Sequence, residues 1–174
     1  MAVYINTLIG GDITVGSGSS PAPEGHAETR FTLKGGTVET HNITGTFDQQ
    51  WMIDNGYFDA DEETWLKTIT QADIGNTVTS IGWAAFADGD LASVTIPNSV
   101  MSIGEWVFSG CTELTSVTIP DSMTSIEESA FEGCSGLTSV TIVATGKPGA
   151  SAATVKQAMI DAGVDENITW NMPS

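Results

Sequence analysis

The chain has 174 residues, which fits one domain or one domain with a small additional unit, and 40% of them are hydrophobic, as in ordinary globular proteins. Its 22 acidic residues outnumber its five Lys and Arg residues, so the formal net charge is −17 at pH 7. No Lys or Arg lies between residues 68 and 146. Because nucleic acids and anionic membranes are bound through cationic side chains, the composition argues against both as partners.

Residues 1–15 are predicted to form an N-terminal arm, and residues 16–27, which include the spacer-like GSGSSPAPEG, a flexible linker. No secretory signal is visible, and no stretch reaches the roughly 18 apolar residues of a membrane span, so we expect no membrane insertion. We expect the arm to dock in a homo-oligomer or a virion; the alternative is that it folds back onto the chain's own hairpin. The candidate anchoring residues are Val3, Tyr4, Ile5, Leu8 and Ile9.

Residues 28–77 are predicted to form an N-terminal cap, which begins with a hairpin. The segment RFTLKGGTVETHNITGTF alternates apolar and polar residues around a pair of glycines. The prediction places Phe31, Leu33 and Val38 on one face and makes Gly35-Gly36 a two-residue turn.

A short helix is predicted next, over residues 59–70. Asp59 with Glu62 resembles a capping box, and Trp65, Leu66 and Ile69 share a helical face. From Leu66 the segment LKTITQADIGNTVTSIG looks like a degenerate first coil of a repeat with an insertion. Residues 54–63 are rich in oxygen ligands but lack the EF-hand pattern, so we predict a turn without a metal ion there.

A repeat of 22 or 23 residues starts at residue 78, in the blocks VTSIGWAAFADGDLASVTIPNS, VMSIGEWVFSGCTELTSVTIPDS and MTSIEESAFEGCSGLTSVTIVAT. We predict that residues 78–143 stack as parallel coils around one continuous core. The inward positions are Ile81, Ile103 and Ile126; Phe86, Phe108 and Phe131; Leu91, Leu114 and Leu137; Val94, Val117 and Val140; and Ile96, Ile119 and Ile142.

Residues 144–174 are predicted to form a C-terminal cap, after a break at Pro148-Gly149. A helix follows, in which Ser151 caps the first turn and Gly163 ends the last. Its apolar face comprises Val155, Ala158, Met159 and Ala162, and a last strand carries Ile168, Trp170 and Met172.

The pattern L-T-S-V-T-I-P-x-S-V-T-S-I-G-x-x-A-F-x-G-C-x-x-L resembles the BspA-like leucine-rich repeat, known from surface and adhesion proteins of gut and oral bacteria, parasitic protists and phages. The resemblance implies a leucine-rich-repeat solenoid, mainly β with short helical turns, between a hairpin-containing N-terminal cap and a helical C-terminal cap. Glu127 replaces the usual Gly, Val143 replaces Pro, and the first coil lacks the Cys.

Few residues of this chain suit catalysis. Cys111 and Cys134 lie one coil apart, within the reach of a disulfide, but we predict two free structural thiols because this position normally faces the core. The two histidines, His26 and His41, accompany no plausible nucleophile or metal-ligand set. We predict no enzyme activity, no metal and no cofactor.

Contact with a ligand is predicted at two surfaces. Trp83 and Trp106 occupy variable positions of neighbouring I-G-x-x-x-F turns, where they either bind a ligand or pack under a cap or a neighbouring turn. The resemblance also implies the outward face of the strands, although Ser and Thr are equally good exposed strand residues. The candidates on that face are Ser93, Thr95, Ser116, Thr118, Ser139 and Thr141.

Two functions follow. The first is a non-enzymatic recognition or adhesion module, displayed on a cell surface, that binds a protein or a glycan on a host or bacterial surface. The alternative is a phage virion structural protein, a fibre or decoration protein anchored by the arm. Localisation is accordingly expected at the cell surface, outside the cell or on a virion.

Overall fold

The computed structural model describes residues 27–62, 64–65, 67–147 and 151–173. The predicted arm and almost all of the predicted linker lie outside the described residues. This also applies to the candidate anchoring residues Val3, Tyr4, Ile5, Leu8 and Ile9.

The described residues contain short strands and two helices. In chain order these are β1 (Thr29–Leu33), β2 (Val38–His41), β3 (Gly45–Phe47), α1 (Gln49–Asp54), β4 (Phe58–Asp59), β5 (Thr64–Trp65), β6 (Ile69–Asp73), β7 (Val78–Ile81), β8 (Ser93–Thr95), β9 (Ser102–Ile103), β10 (Ser116–Pro120), β11 (Ser125–Ile126), β12 (Ser139–Val143), α2 (Ala152–Asp161) and β13 (Thr169–Asn171). Among these residues, no helix has the length and apolar character needed to cross a membrane.

The repeat forms a solenoid with two walls, as predicted. In one wall β8, β10 and β12 are parallel neighbours, and in the other β7, β9 and β11 are. The register is one-to-one, so Val94 pairs with Val117 and Val117 with Val140. Each inward side chain therefore lies on its equivalent in the next coil, which builds a continuous apolar core.

Three phenylalanines form the centre of this core. The ring centroids of Phe86 and Phe108 lie 5.6 Å apart, and those of Phe108 and Phe131 lie 5.0 Å apart, both in stacked geometry. All three rings are buried, as are Leu91, Leu114 and Leu137. Burial of one such side chain contributes about 1.5–3 kcal/mol, so this stacking is the main source of stability.

The degenerate first coil is confirmed. Strand β6 is parallel to β8, with Ala72 opposite Val94, so Ile69, Ala72 and Ile74 take the places of the Leu, Val and Ile of a regular coil. Beyond β6 the pairing becomes antiparallel, and the larger sheet has the order β13-β12-β10-β8-β6-β1-β2. The smaller sheet ends with β3, which is parallel to β7.

The predicted hairpin is present as β1 and β2, but one of its residues points the other way. Val38 lies opposite Thr32 and is 55% exposed, whereas Phe31 is buried. The N–H of Leu33 donates to the carbonyl of Thr37 at 2.8 Å, so three residues, not two, form the loop. A shift of one residue in register moves a strand's side chains to the opposite face, which is why the placement of Val38 was wrong.

The predicted helix over residues 59–70 is wrong. Strands β4 and β5 pair there as a small antiparallel ribbon, and Ile69 begins β6. The Asp59 carboxylate does accept the N–H groups of Asp61 and Glu62, at 2.9 and 3.1 Å, but these bonds close an isolated turn. The capping hydrogen bonds predicted at Asp59 are therefore present, whereas the helix predicted to follow them is absent from the described residues.

The short helix of this region is α1, further upstream. Asp48 is its N-cap and accepts the N–H of Trp51 at 3.1 Å, while Met52 on its inner face is buried.

The C-terminal helix and strand are confirmed. Ser151 caps α2 by accepting the N–H of Thr154 at 3.3 Å, and Val155 and Met159 are buried. The N–H of Phe131 donates to the carbonyl of Ala162 at 3.0 Å, so α2 lies against the last repeat turn. Strand β13 extends the large sheet in parallel, with Trp170 opposite Val140.

Replacement of Phe108 by Ala is expected to lower the free energy of unfolding by about 3–5 kcal/mol, because it removes the middle ring of the stack and leaves a cavity. Urea denaturation monitored by circular dichroism measures this. The control is Glu113→Ala, an exposed residue of the same coil, which should change stability by less than about 0.5 kcal/mol. A loss for Phe108→Ala no larger than that of the control would contradict a core centred on the ring stack.

Candidate binding site

Trp83 and Trp106 lie side by side on the turns that follow β7 and β9. The N–H of Ala84 donates to the carbonyl of Glu105 at 3.1 Å, so the peptide group after Trp83 lies directly against the one before Trp106. The side chains of Trp83 and Trp106 are 59% and 49% exposed. This exposure argues against packing under a neighbouring turn, and contact of the two indoles with a ligand stays a prediction.

The backbone at Trp106 has a φ of 64°, in the left-handed region. The equivalent residues of the other coils, Ala84 and Ser129, have φ values of 50° and 60°, so the turn itself imposes this conformation. A bulky residue with positive φ is uncommon because its Cβ crowds the backbone. Since Ala and Ser satisfy the same turn elsewhere, the fold does not require an indole at residue 106.

The turns that carry the two tryptophans and their equivalents also carry acidic residues. Glu105 and Glu128 are exposed and occupy the position of Trp83 in the following coils. No Lys or Arg lies between residues 68 and 146 to balance them. An aromatic patch in an acidic surface suits a cationic or a neutral polar ligand and disfavours an anionic one.

The outward face of the strands carries two straight rows of hydroxyl groups, as predicted. The first row consists of Ser93, Ser116 and Ser139, and the second of Thr95, Thr118 and Thr141, each in direct register and each half-buried. Among the described residues only Thr141 has a side-chain partner within these rows, the amide of Asn171 at 3.2 Å. The rows are therefore flat, uncharged and available for hydrogen bonds.

A third row of threonines next to them is structural. The hydroxyl of Thr115 donates to the carbonyl of Ala92, and that of Thr138 to the carbonyl of Thr115, each at 3.1 Å. These bonds join successive coils. Not every hydroxyl of the face is therefore free for a ligand.

Sequence reasoning missed a polar cluster of Glu39, His41, Tyr57 and Lys67. The buried Tyr57 hydroxyl donates to the carboxylate of Glu39 and lies 2.5 Å from Nε2 of His41. Lys67 Nζ donates to both oxygens of Glu39, at 3.1 and 2.9 Å, and lies 4.4 Å from the centre of the Tyr57 ring. Glu39 and His41 alternate on β2, a signal that they share one face.

The pKa values in this cluster follow from its burial. Burial lowers the pKa of His41 and outweighs the attraction of Glu39. Burial would raise the pKa of Glu39, but hydrogen bonds from Tyr57 and Lys67 overcome it and lower the value. Burial, and then the hydrogen bond to Glu39, raise the pKa of Tyr57 far above its ordinary range. The favoured state is therefore a neutral His41 that donates from Nε2 to Tyr57.

These groups are hydrogen-bonded to one another. The cluster therefore connects β2 to the loop that contains Tyr57 and to the segment that contains Lys67. The indole of Trp51 is stacked on the Tyr57 ring, with the ring centroids 5.9 Å apart. A tyrosine held in its protonated form and a lysine bound to a carboxylate are poor nucleophiles. We interpret the cluster as a structural clamp.

Acid should weaken this clamp. Because the pKa of His41 lies below its ordinary value of 6.5, the unfolded chain binds a proton more readily, and stability falls as the pH drops through 6.5. Because the pKa of Glu39 lies below 4.5, its contribution is present above that pH and is lost below it. We expect the free energy of unfolding to decrease between about pH 7.5 and about pH 5.5, and His41→Gln to reduce that decrease.

Urea denaturation over this pH range measures the effect. His26→Gln is the matched control, because it removes the other histidine of the chain. An equal pH dependence in the wild type and in His41→Gln would contradict the assignment.

The two cysteines are free thiols that form hydrogen bonds between coils. Cys111 Sγ donates to the carbonyl of Phe86 at 3.0 Å, and Cys134 Sγ to that of Phe108 at 3.1 Å. Burial raises the pKa of both thiols to about 12. A thiolate is required for nucleophilic attack, so neither cysteine is poised for catalysis.

Alkylation by iodoacetamide at about pH 8 should be about a thousandfold slower in the folded protein than in the unfolded chain, because the pKa rises from 9.0 to about 12. Mass spectrometry of timed samples measures the rate, and the reaction in urea is the reference. Rates within tenfold of the reference would show that the thiols are not held as described.

The acid-rich segment of residues 54–63 uses its Asp59 carboxylate to close the turn described above. Within the described parts of the chain, no group of three or more His, Cys, Asp and Glu residues is arranged to hold a metal ion.

Comparison with known families gives one match. The model described as "BspA type Leucine rich repeat region (6 copies)" matches residues 64–149. This range includes β5, the degenerate first coil and the three regular coils. No curated protein and no solved structure matches the chain.

Proposed function

Residues 64–149 form a leucine-rich repeat region of the BspA type, and from this premise we propose that the protein is a non-enzymatic recognition module that binds a protein or a glycan on a host or bacterial surface. Leucine-rich-repeat solenoids are typically binding scaffolds, and the BspA-like family is associated with surface adhesion. Its members are often surface-associated. We therefore propose a cell-surface location for this protein.

The observation that carries the proposal is the exposed pair of indoles. Trp83 and Trp106 project from adjacent coils, at positions where the other coils have Glu, Ala or Ser. Trp is enriched at the centres of interfaces because one side chain buries a large apolar area and donates a hydrogen bond. The unfavourable φ at Trp106 adds to the argument, since exposure there has no benefit for the fold.

The hydroxyl rows support a second, broader contact. Their side chains are short and regularly spaced, so they offer many weak hydrogen bonds over a flat area. Such a surface fits a ligand that is itself extended, such as a glycan chain or a protein strand. We propose that the indoles supply most of the affinity and the hydroxyl rows supply additional contact.

The side chains capable of covalent chemistry support a non-enzymatic role. Cys111 and Cys134 have raised pKa values and bond to backbone carbonyls, and Tyr57 is held protonated within the clamp. The alternative function, a phage fibre or decoration protein, depends on anchoring by residues 1–15. That segment lies outside the described residues.

Converting both indoles to residues of equivalent coils tests the proposal. Trp83→Glu copies Glu105 and Glu128, and Trp106→Ser copies Ser129. We expect the double variant to lose at least about tenfold in affinity for any ligand found on arrays of glycans and surface proteins, with a stability change below about 1 kcal/mol.

The control is Val38→Thr, which removes another exposed apolar side chain away from these turns. Biolayer interferometry with the array ligand gives the affinities. Binding that is unchanged in the double variant would remove the indoles from the site.

A further inference from the structure

A cavity of about 230 Å³ lies between the degenerate first coil and the first regular coil. Its apolar lining includes Ile69, Phe86 and Leu91, all buried in the core. The half-buried indole of Trp65 forms a wall, and the exposed residues Asp88 and Asp90 line the cavity as well. The cavity therefore combines an apolar floor, an aromatic wall and negative charge.

The cavity exists because the first regular coil departs from the repeat. Four residues separate Phe86 from Leu91, whereas five separate Phe108 from Leu114. Gly89 takes the place of the cysteines, since its N–H donates to the carbonyl of Phe86 at 3.1 Å, as the N–H of Cys111 does to that of Phe108. A shorter turn without a side chain at residue 89 leaves room beside the core.

Trp65 borders this space in a fixed orientation. Its Nε1 donates to the carbonyl of Ala87 at 2.9 Å, and its ring contacts Phe58 with centroids 5.4 Å apart. A Cβ atom on residue 89 would lie 3.5 Å from Cε2 of the indole. The aromatic wall is thus held in place before any ligand arrives.

The two carboxylates have no partner among the described residues. Both side chains are exposed and make no hydrogen bond or ion pair there, and Oδ1 of Asp88 lies over Gly110 of the next coil. Asp88 has a φ of 54°, at the position where the next coils have Gly110 and Gly133, with φ values of 72° and 75°. The chain therefore carries a carboxylate where the backbone favours glycine.

Charge and size together select the class of ligand. An aromatic ring next to unpaired carboxylates attracts a cation and repels an anion. At about 230 Å³ the cavity is smaller than the roughly 300–1,000 Å³ of ordinary small-molecule sites. A single long side chain fits this description better than a sugar ring or a cofactor.

We propose that this cavity binds the side chain of a lysine on a protein partner. The alkyl chain enters the cavity over Ile69, Phe86 and Leu91, and the ammonium group lies between the Trp65 ring and the carboxylate of Asp90. The adjoining depression contains Lys34, which forms no ion pair with Asp90. The choice of a protein as the source of the lysine rests on the binding function proposed above; the site itself uses neither Trp83 nor Trp106.

The test is titration of the full-length protein with Nα-acetyl-lysine methylamide, followed by the NMR signal of the Trp65 indole N–H. We expect a saturable shift, and at least about fivefold weaker binding in Asp90→Asn. Asparagine keeps the shape of aspartate and residue 90 is exposed, so this variant should remain folded.

Two controls separate a specific site from general attraction to an acidic protein. Glu128→Gln removes one exposed charge near the tryptophan turns and should leave the titration unchanged. The Nε-acetylated probe has the same length without the charge and should give no saturable shift. Equal weakening by Glu128→Gln, an equal response to the neutral probe, a saturable response to methyl N-acetylglucosaminide, or no shift at all would each overturn the proposal.

The double variant Trp83→Glu with Trp106→Ser distinguishes the two proposals. It should bind the lysine probe as the wild type does, even where it no longer binds an array ligand. If it loses the probe, the cavity is not an independent site.

Discussion

Parallel stacking of equivalent positions is the constraint on which this structure depends. Backbone N–H groups of Ala92, Thr115, Thr138 and Thr169 donate in turn to the carbonyls of Thr70, Ala92, Thr115 and Thr138, at 2.8 to 3.1 Å. This ladder fixes the register, so every side chain lies on its equivalent in the next coil. Inward positions must then be apolar in each coil, because one polar residue would lack a partner in the core. Outward positions are free of that requirement, and binding residues accumulate there.

The candidate sites are places where single coils depart from the repeat while the ladder continues. The turn that holds Ala84 and Ser129 also accepts Trp106, because its left-handed backbone is set by hydrogen bonds rather than by side chains. Likewise, the place of Cys111 and Cys134 is Gly89 in the first coil, where Trp65 approaches instead. A regular scaffold can thus carry irregular side chains at little cost to its core.

At the N-terminal end, where parallel stacking stops, antiparallel strand pairing and a polar cluster stabilise the chain instead. Strand β1 pairs antiparallel with β6, and the ring centroids of Phe31 and Phe86 lie 6.0 Å apart. Both interactions attach the hairpin to the repeat core. The cluster of Glu39, Tyr57 and Lys67 then joins three segments that share no repeat. Buried polar groups are tolerated there because each has a partner, and their pKa shifts make this end sensitive to acid.

The amino-acid sequence by itself determined the solenoid, its inward residues, the degenerate first coil, and the C-terminal helix and strand, because these repeat a pattern several times or carry local caps such as Ser151. It also indicated the hydroxyl rows, since outward positions follow from the same period, and it singled out Trp83 and Trp106 without deciding whether their indoles are exposed or packed. Only the tertiary structure decided the register of Val38, the strands at residues 58–65, the clamp around Tyr57 and the cavity at Trp65. Each occurs once in the chain, and distant contacts fix each of them: Glu39 lies 18 residues from Tyr57, and Trp65 lies 22 from Ala87. Local patterns cannot specify such pairings, because the favourable energy arises only when the solenoid brings the partners together.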